Sequence, residues 1–149
     1  MATSRGKVLK ANLFSLCQSL FPTSTVTYGL PALDEPDDIV AIVDAGTSSG
    51  ERASQAMATL GTNRSREEVI EVGVLISSWR GTNSQQLVTE FVFDAMATLE
   101  QSLRDEPTIS GACRIAEVMD WQLSETDVEH LTAGRYAELA ITIRAKTRI

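Results

Sequence analysis

The stretch from Arg66 to Arg104 constrains the fold most, because a long strand pattern is followed at once by a long helix pattern. One side of the expected strand holds four apolar residues, Ile70, Val72, Val74 and Ile76. Side chains alternate between the two faces of an extended chain, and the neighbours Val69 and Leu75 are apolar too. A strand that is apolar on one face and half apolar on the other belongs in the middle of a sheet.

A helix is expected directly after this strand. Thr82 and Gln85 have the spacing of a capping box, which predicts that the helix begins there. Pro107 cannot continue a helix, so the element should end near Asp105. The apolar residues recur at steps of three and four: Leu87, Val88, Phe91, Val92, Ala95, Met96, Leu99 and Leu103. They define one broad face that should lie on the sheet.

Phe93 does not belong to this apolar face. It shares the opposite side of the helix with Ala97 and with polar residues such as Glu90 and Asp94. A single exposed Phe is ordinary on a protein surface. The alternative is a surface that a second subunit covers.

The remaining segments predict an α+β fold in one domain, residues 1–149. Residues 4–22 form an amphipathic helix that should pack on the core rather than serve as a targeting segment. Four further segments are expected strands: 25–29, 39–43, 113–123 and 135–148. We therefore expect an N-terminal helix and a mixed, mostly antiparallel sheet of about five strands, with the long helix packed on one face.

A long polar arm is expected between the second and third strands, from Gly46 to Ser65. It is rich in small residues and has a weak helical pattern from Ala53 to Leu60. Connections of this length inside a small domain are commonly functional, so the arm is a candidate for contact with a partner.

Charge is the main clue from composition. The 149 residues hold 20 acids and 13 bases, a formal net charge of -7, which disfavours nucleic-acid binding. Four acids, Asp34, Glu35, Asp37 and Asp38, cluster in a turn expected from Pro31 to Asp38. They form a solvated loop, a metal site or the wall of an acidic passage, although the glycine and alternating ligands of a calcium loop are missing. The last fifteen residues are basic, with four bases and one acid.

Other features of the composition exclude several classes of protein. Hydrophobic residues make up 43% of the chain and no apolar run approaches the length of a membrane span, so we expect a soluble globular domain. Cys17 and Cys113 lack metal-type spacing and are interpreted as buried thiols. No metal or cofactor is expected.

One motif suggests an enzyme. Residues 46–50 match the Gly-x-Ser-x-Gly pattern of a hydrolase nucleophile, with Ser48 as nucleophile and His130 as the base. A hydrolase of that fold needs a larger sheet and a Gly-rich oxyanion loop before the serine. Asp44 to Thr47 also resembles the first phosphate loop of the actin and sugar-kinase superfamily, which requires a second such domain. We therefore predict no enzymatic activity.

The order of elements, with an arm ending in Leu60-Gly-Thr-Asn-Arg-Ser-Arg-Glu-Glu and a final segment beginning Gly134-Arg-Tyr-Ala-Glu-Leu-Ala-Ile-Thr-Ile, resembles the tail-terminator, or tail-completion, proteins of long-tailed bacteriophages. The resemblance covers nearly the whole chain. It implies a ring of identical subunits, typically a hexamer, at the head-proximal end of the tail. Related proteins of the phage neck, the connector and stopper subunits, have a similar order.

This resemblance implies partners but no chemistry. The ring would end elongation of the tail tube, contact the tube protein, and provide the joint to the connector or stopper. DNA would pass through without specific binding, which an acidic wall would favour. The candidate contacts with a neighbour or the tube are Arg52, Leu60, Arg64, Arg66 and Phe93. The protein would assemble in the host cytoplasm and reside in the virion, with no membrane partner.

Overall fold

A computed structural model describes residues 4–32, 37–44, 52–57, 66–81, 84–127 and 134–148. These residues form two helices and six strands. The helices are α1 (Gly6–Leu20) and α2 (Gln85–Asp105). The strands are β1 (Thr25–Tyr28), β2 (Asp38–Asp44), β3 (Arg52–Met57), β4 (Arg66–Arg80), β5 (Ile115–Asp127) and β6 (Arg135–Arg148).

The strands build one mixed sheet around β4. The main order is β1-β2-β4-β6-β5, and β3 also pairs with β4. Only the β1 and β2 pair is parallel, and the other pairings are antiparallel. The predicted α+β class, the mostly antiparallel sheet and the central position of β4 are confirmed.

The side of β4 away from β6 carries two strands end to end. β2 pairs with residues 72–78 of β4, and β3 pairs with residues 66–71. Asp44 is the partner of Val72, and Arg52 is the partner of Glu71. β2 and β3 therefore follow one line along β4.

Both helices contribute to a core on one face of the sheet. The predicted inward residues of β4 and β6 are buried there, as are the main apolar residues of each helix. They include Leu9, Leu13, Cys17, Ile70, Val72, Val74, Ile76, Val88, Val92, Leu99, Leu139, Ile141 and Ile143. Leu87 was predicted to join them but is 49% exposed, whereas the adjacent Val88 is fully buried. The expected packing of the long helix on the sheet is confirmed.

A serine hydroxyl accepts a backbone hydrogen bond near the start of each helix. Ser84, and not the predicted Thr82, caps α2, and its hydroxyl accepts a hydrogen bond from the Leu87 backbone N–H at 3.3 Å. Thr82 lies outside the described residues. α2 ends at Asp105 as predicted. In α1, the Ser4 hydroxyl accepts from the Gly6 N–H at 2.9 Å, close to the predicted start.

Three local predictions are wrong. Residues 53–57, the first part of the helical patch expected from Ala53 to Leu60, belong instead to β3, because their backbone pairs with β4. Asp38 is not in a turn but begins β2. The alternation of the sequence places Ile115, Met119, Trp121 and Leu123 on one side of a strand, but an irregularity between Val118 and Asp120 shifts it, so Ile115 does not share a side with Trp121. Sequence periodicity alone cannot locate such a bulge.

Both cysteines are buried free thiols, as predicted. Burial raises the pKa of the Cys17 thiol from 9.0 to about 12, and burial likewise raises the pKa of Cys113. An unfolded Cys17 would ionise near pH 9, whereas the folded form would keep its proton. The Cys17 contribution therefore lowers folding stability as the pH rises from 9 toward 12.

We expect Cys17 to react very slowly with a disulfide reagent such as Ellman's reagent in the native protein at pH 8, because only the thiolate attacks. The reaction should become fast in denaturant, where both thiols are released. A Cys17→Ala variant isolates the signal of Cys113 and serves as the control. Rapid modification of Cys17 under native conditions would contradict the packing of α1 described above.

Candidate assembly surface

β5 is an edge strand with a hydrophobic surface. It pairs with β6 on one side, and no strand in the described part of the chain pairs with its other side. Ile115, Met119 and Trp121 on β5 are 46%, 40% and 49% exposed. These three exposed side chains do not all share one face, because the irregularity between Val118 and Asp120 puts Ile115 and Trp121 on opposite faces of the strand. Long edge strands with exposed apolar residues readily accept another strand.

Phe93 of α2 packs against the edge strand β5. Its ring packs edge-on against Trp121, with ring centroids 5.2 Å apart, and it is partly buried against the core. The expectation that Phe93 projects from the outer side of α2 is wrong, because β5 extends the sheet under that side of the helix. Phe93 therefore fixes the position of an exposed Trp, and its own contact with a second subunit stays a prediction.

The sheet face opposite the helices carries charged and polar side chains. Near its middle, Arg144 of β6 donates to the Glu71 carboxylate of β4 at 3.0 Å. Glu117 of β5 is the strand partner of Arg144 on its other side. A shallow hollow of about 380 Å³ lies beside this pair, lined partly by Leu75 and Thr142. Acid and base thus alternate across three neighbouring strands.

An aromatic pair closes one end of this face. Trp79 and Tyr136 are strand partners and are both buried. The Tyr136 hydroxyl donates to the Glu138 carboxylate. Burial raises the pKa of Tyr136 well above its ordinary value, and the hydrogen bond and negative charge of Glu138 raise it further. This tyrosine stays neutral and acts as a hydrogen-bond donor.

The described part of the predicted acid cluster is engaged internally. Asp38 accepts from Arg80 at 2.8 and 3.1 Å and from the Ser78 hydroxyl at 2.6 Å. Asp37 accepts from the Thr25 hydroxyl. These contacts connect β1, β2 and β4. Asp34 and Glu35 lie outside the described residues, so an acidic channel wall stays a prediction.

The other predicted contact residues are distributed along the arm. Arg52 begins β3, and Arg66 begins β4 as the partner of Met57. Leu60 and Arg64 lie outside the described residues. The arm is therefore partly a two-stranded extension of the sheet, with β3 and the first half of β4 as its strands.

The proposed hydrolase residues, Ser48 and His130, also lie outside the described residues. Among the residues that are described, no group of three or more His, Cys, Asp or Glu side chains could hold a metal ion. Neither described helix is long and apolar enough to cross a membrane.

No protein-family model matches this chain, and no curated protein matches it significantly.

Proposed function

We propose that this chain is a structural virion protein that forms a ring on the head-proximal end of a phage tail tube. The ring ends elongation of the tube and provides the joint to the head connector. The observation that carries the proposal is the open edge of β5, with Met119 and Trp121 held out to solvent. The resemblance in element order supplies the particular place in the virion.

An exposed apolar edge strand of this kind favours an oligomer over a monomer. Proteins that remain single usually protect an edge strand by shortening it or covering it. β5 has 13 residues and three large exposed hydrophobic side chains, so covering it with a second subunit would remove apolar area from water. Contacts between identical subunits that use two different surfaces close into rings when the rotation allows.

The charge of the chain is compatible with a passage for DNA. The chain has 20 acids and only 13 bases, and this negative charge disfavours binding of DNA that must slide through the ring. The role requires shape and contacts alone, without a cofactor. A connector or stopper subunit of the neck would use the same type of ring at a neighbouring position.

The purified protein is expected to form annular particles with the mass of a hexamer. Light scattering after size-exclusion chromatography and negative-stain electron microscopy measure the mass and shape. Adding tail tubes of the same phage should place the protein at one tube end, visible by gold labelling of a tagged chain. A strict monomer that neither forms rings nor binds tubes would contradict the proposal. Labelling confined to isolated heads would favour the connector or stopper.

A further inference from the structure

The two outer strands of the sheet, β1 and β5, lie at the same level. In the described part of the chain, β1 pairs only with β2 and β5 only with β6, so each strand has one free edge. The strand pairings define rows of residues that cross the whole sheet. One row consists of Tyr28, Ile42, Val74, Ile141 and Trp121. The neighbouring rows likewise join the other residues of β1 to the β5 residues that follow Trp121.

Each of these edges exposes an aromatic side chain. Tyr28 on β1 is 54% exposed, and Trp121 on β5 is 49% exposed. The Tyr28 ring packs edge-on against Phe14 of α1, with ring centroids 5.7 Å apart, just as Trp121 packs against Phe93 of α2. Because both helices lie on one face of the sheet, both exposed rings lie on that face. A second copy beside the first would therefore bring Trp121 close to Tyr28.

The backbone of β1 presents hydrogen-bonding groups at its free edge. Successive residues of a paired strand direct their N–H and C=O groups alternately to the two sides. The Gly29 N–H donates to the Ile42 carbonyl of β2 at 2.8 Å, so Gly29 faces β2. By alternation, Tyr28 and Val26 direct their backbone groups away from β2, toward a strand that would join the sheet there.

The backbone of β5 presents matching groups at the same level. The Trp79 N–H donates to the Asp37 carbonyl at 3.0 Å, so Trp79 faces β2 and, by alternation along β4, Val74 faces β6. Val74 and its partner Ile141 therefore form a hydrogen-bonded pair, which turns the backbone groups of Ile141 away from β5. Trp121, the β5 partner of Ile141, then directs its backbone groups to the free edge.

The strand directions also fit. β5 and β4 are both antiparallel to β6, so β5 runs parallel to β4. β1 runs parallel to β2, which is antiparallel to β4. If a second copy is placed beside the first in the same orientation, its β5 edge meets β1 in an antiparallel arrangement. Antiparallel pairs are slightly more stable per residue than parallel ones.

We propose that β1 of one copy pairs with residues 121–124 of β5 in a second copy. This inference rests on the proposed ring and identifies the two surfaces that join its subunits. Tyr28 then lies opposite Trp121, and Val26 lies opposite Leu123, in hydrogen-bonded pairs on the helix side of the sheet. Aromatic and apolar pairs of this kind stabilise neighbouring strands. Because two different edges meet, the contact is head to tail.

The charges beside the two edges favour this contact over a contact of β5 with itself. Asp120 and Glu125 are exposed on either side of the four β5 residues in the proposed pairing. Two β5 edges in contact would bring these acids together from both copies, and like charges destabilise a strand pair. At the β1 edge, Lys10 lies over the Tyr28 ring, with Nζ 5.1 Å from the ring centroid.

The acids near β1 do not determine the pairing. Asp37 accepts hydrogen bonds from the Thr25 hydroxyl and the Asp38 N–H. Asp34 and Glu35 lie outside the described residues. The four residue pairs of the proposed contact contain aromatic, apolar, hydroxyl and amide side chains. The contact therefore depends on backbone hydrogen bonds and apolar burial rather than on net charge.

A pair of engineered cysteines tests the register. Thr27 and Gln122 would form a non-hydrogen-bonded pair, with Cα atoms about 4.5 Å apart, a distance that a disulfide can span. On mild oxidation, a chain with Thr27→Cys and Gln122→Cys should form a ladder of covalent oligomers on non-reducing gels. The native Cys17 and Cys113 are buried. The control chain with Thr27→Cys and Ser124→Cys is out of register and should give no ladder.

Replacing the aromatic pair by a charge pair tests the contact itself. Tyr28→Lys alone and Trp121→Glu alone should each raise the dissociation constant of self-association about tenfold. The double variant places a lysine opposite a glutamate and should recover most of the affinity. Leu87→Glu is the control, because Leu87 on α2 is as exposed as Trp121, and it should leave the constant unchanged. Sedimentation over a concentration series measures the constant, and circular dichroism confirms that each variant is folded.

The outcomes separate the pairing from the proposed function. Rings from a Thr27→Cys and Gln122→Cys chain that gives no ladder would overturn the pairing and leave the ring function intact. Disulfide dimers from either single cysteine variant would show an edge in contact with itself and also overturn the pairing. A ladder from chains that form open filaments would support the pairing and contradict the ring.

Discussion

Replacing Gly134 by alanine is expected to lower the free energy of unfolding by about 3 kcal/mol, with a fall in Tm of roughly 10 °C. A Cβ atom at this position would lie 2.5 Å from the Arg80 carbonyl oxygen and 3.2 Å from its carbonyl carbon. Both are backbone atoms of β4, which cannot move away independently of the sheet. The φ angle of +157° adds strain for any residue with a side chain.

Gly81→Ala is the matched control for this change. Gly81 adjoins Arg80, but a Cβ there meets nothing within 4 Å. Gly81→Ala should change the free energy of unfolding by no more than about 0.5 kcal/mol, the usual range for a surface substitution. Chemical denaturation of the three proteins gives the comparison. Equal stability of the two variants would show that the close approach of Gly134 to β4 is not maintained in solution.

We expect the second large effect from Glu68→Ala, which should lower the free energy of unfolding by about 3 kcal/mol. Glu68 lies on β4 and is 0% exposed. Its carboxylate accepts a hydrogen bond of 2.7 Å from the Arg5 backbone N–H, at the start of α1. A negative charge there satisfies a free N–H and complements the positive end of the helix dipole. Removing it leaves the partly buried Arg5 N–H without this acceptor and a cavity beside it.

Glu67→Ala serves as the control, because Glu67 is the exposed neighbour on the same strand. It should change stability by less than about 0.5 kcal/mol. Glu68→Gln keeps an acceptor oxygen without the charge, so its free energy of unfolding should lie between those of Glu67→Ala and Glu68→Ala. Hydrogen exchange of the α1 amides provides a second measurement, since α1 should open more often in Glu68→Ala. Unchanged exchange would mean that other contacts hold the start of α1.

The parts of the fold that were predictable depend on local periodicity. The alternation in β4 and β6 and the apolar stripe of α2 each specify which side faces the core, and each prediction is confirmed. Pro107 marks the end of α2 because a proline restricts the residue before it. These signals lie within a single segment, so they can be recognised without the rest of the chain.

The features that could not be predicted depend on residues far apart in sequence. β3 exists because β4 supplies its partner, although residues 53–60 have a helical pattern on their own. The ion pair of Asp38 with Arg80 joins residues in different strands. The exposure of Trp121 follows from strand order, which places β5 at the edge. Amino-acid sequence specifies which residues are apolar, but not which strand lacks a neighbour.

The break between β2 and β3 has a consequence for engineering and for divergence among homologues. β2 ends at Asp44, the partner of Val72, and β3 begins at Arg52, the partner of the adjacent Glu71. Pairing with β4 therefore fixes the positions of Asp44 and Arg52, but it does not fix how many residues join them. Loop closure costs only about 0.6 kcal/mol for each doubling of length. A fluorescent reporter or an added peptide inserted there would leave the strand alignment intact.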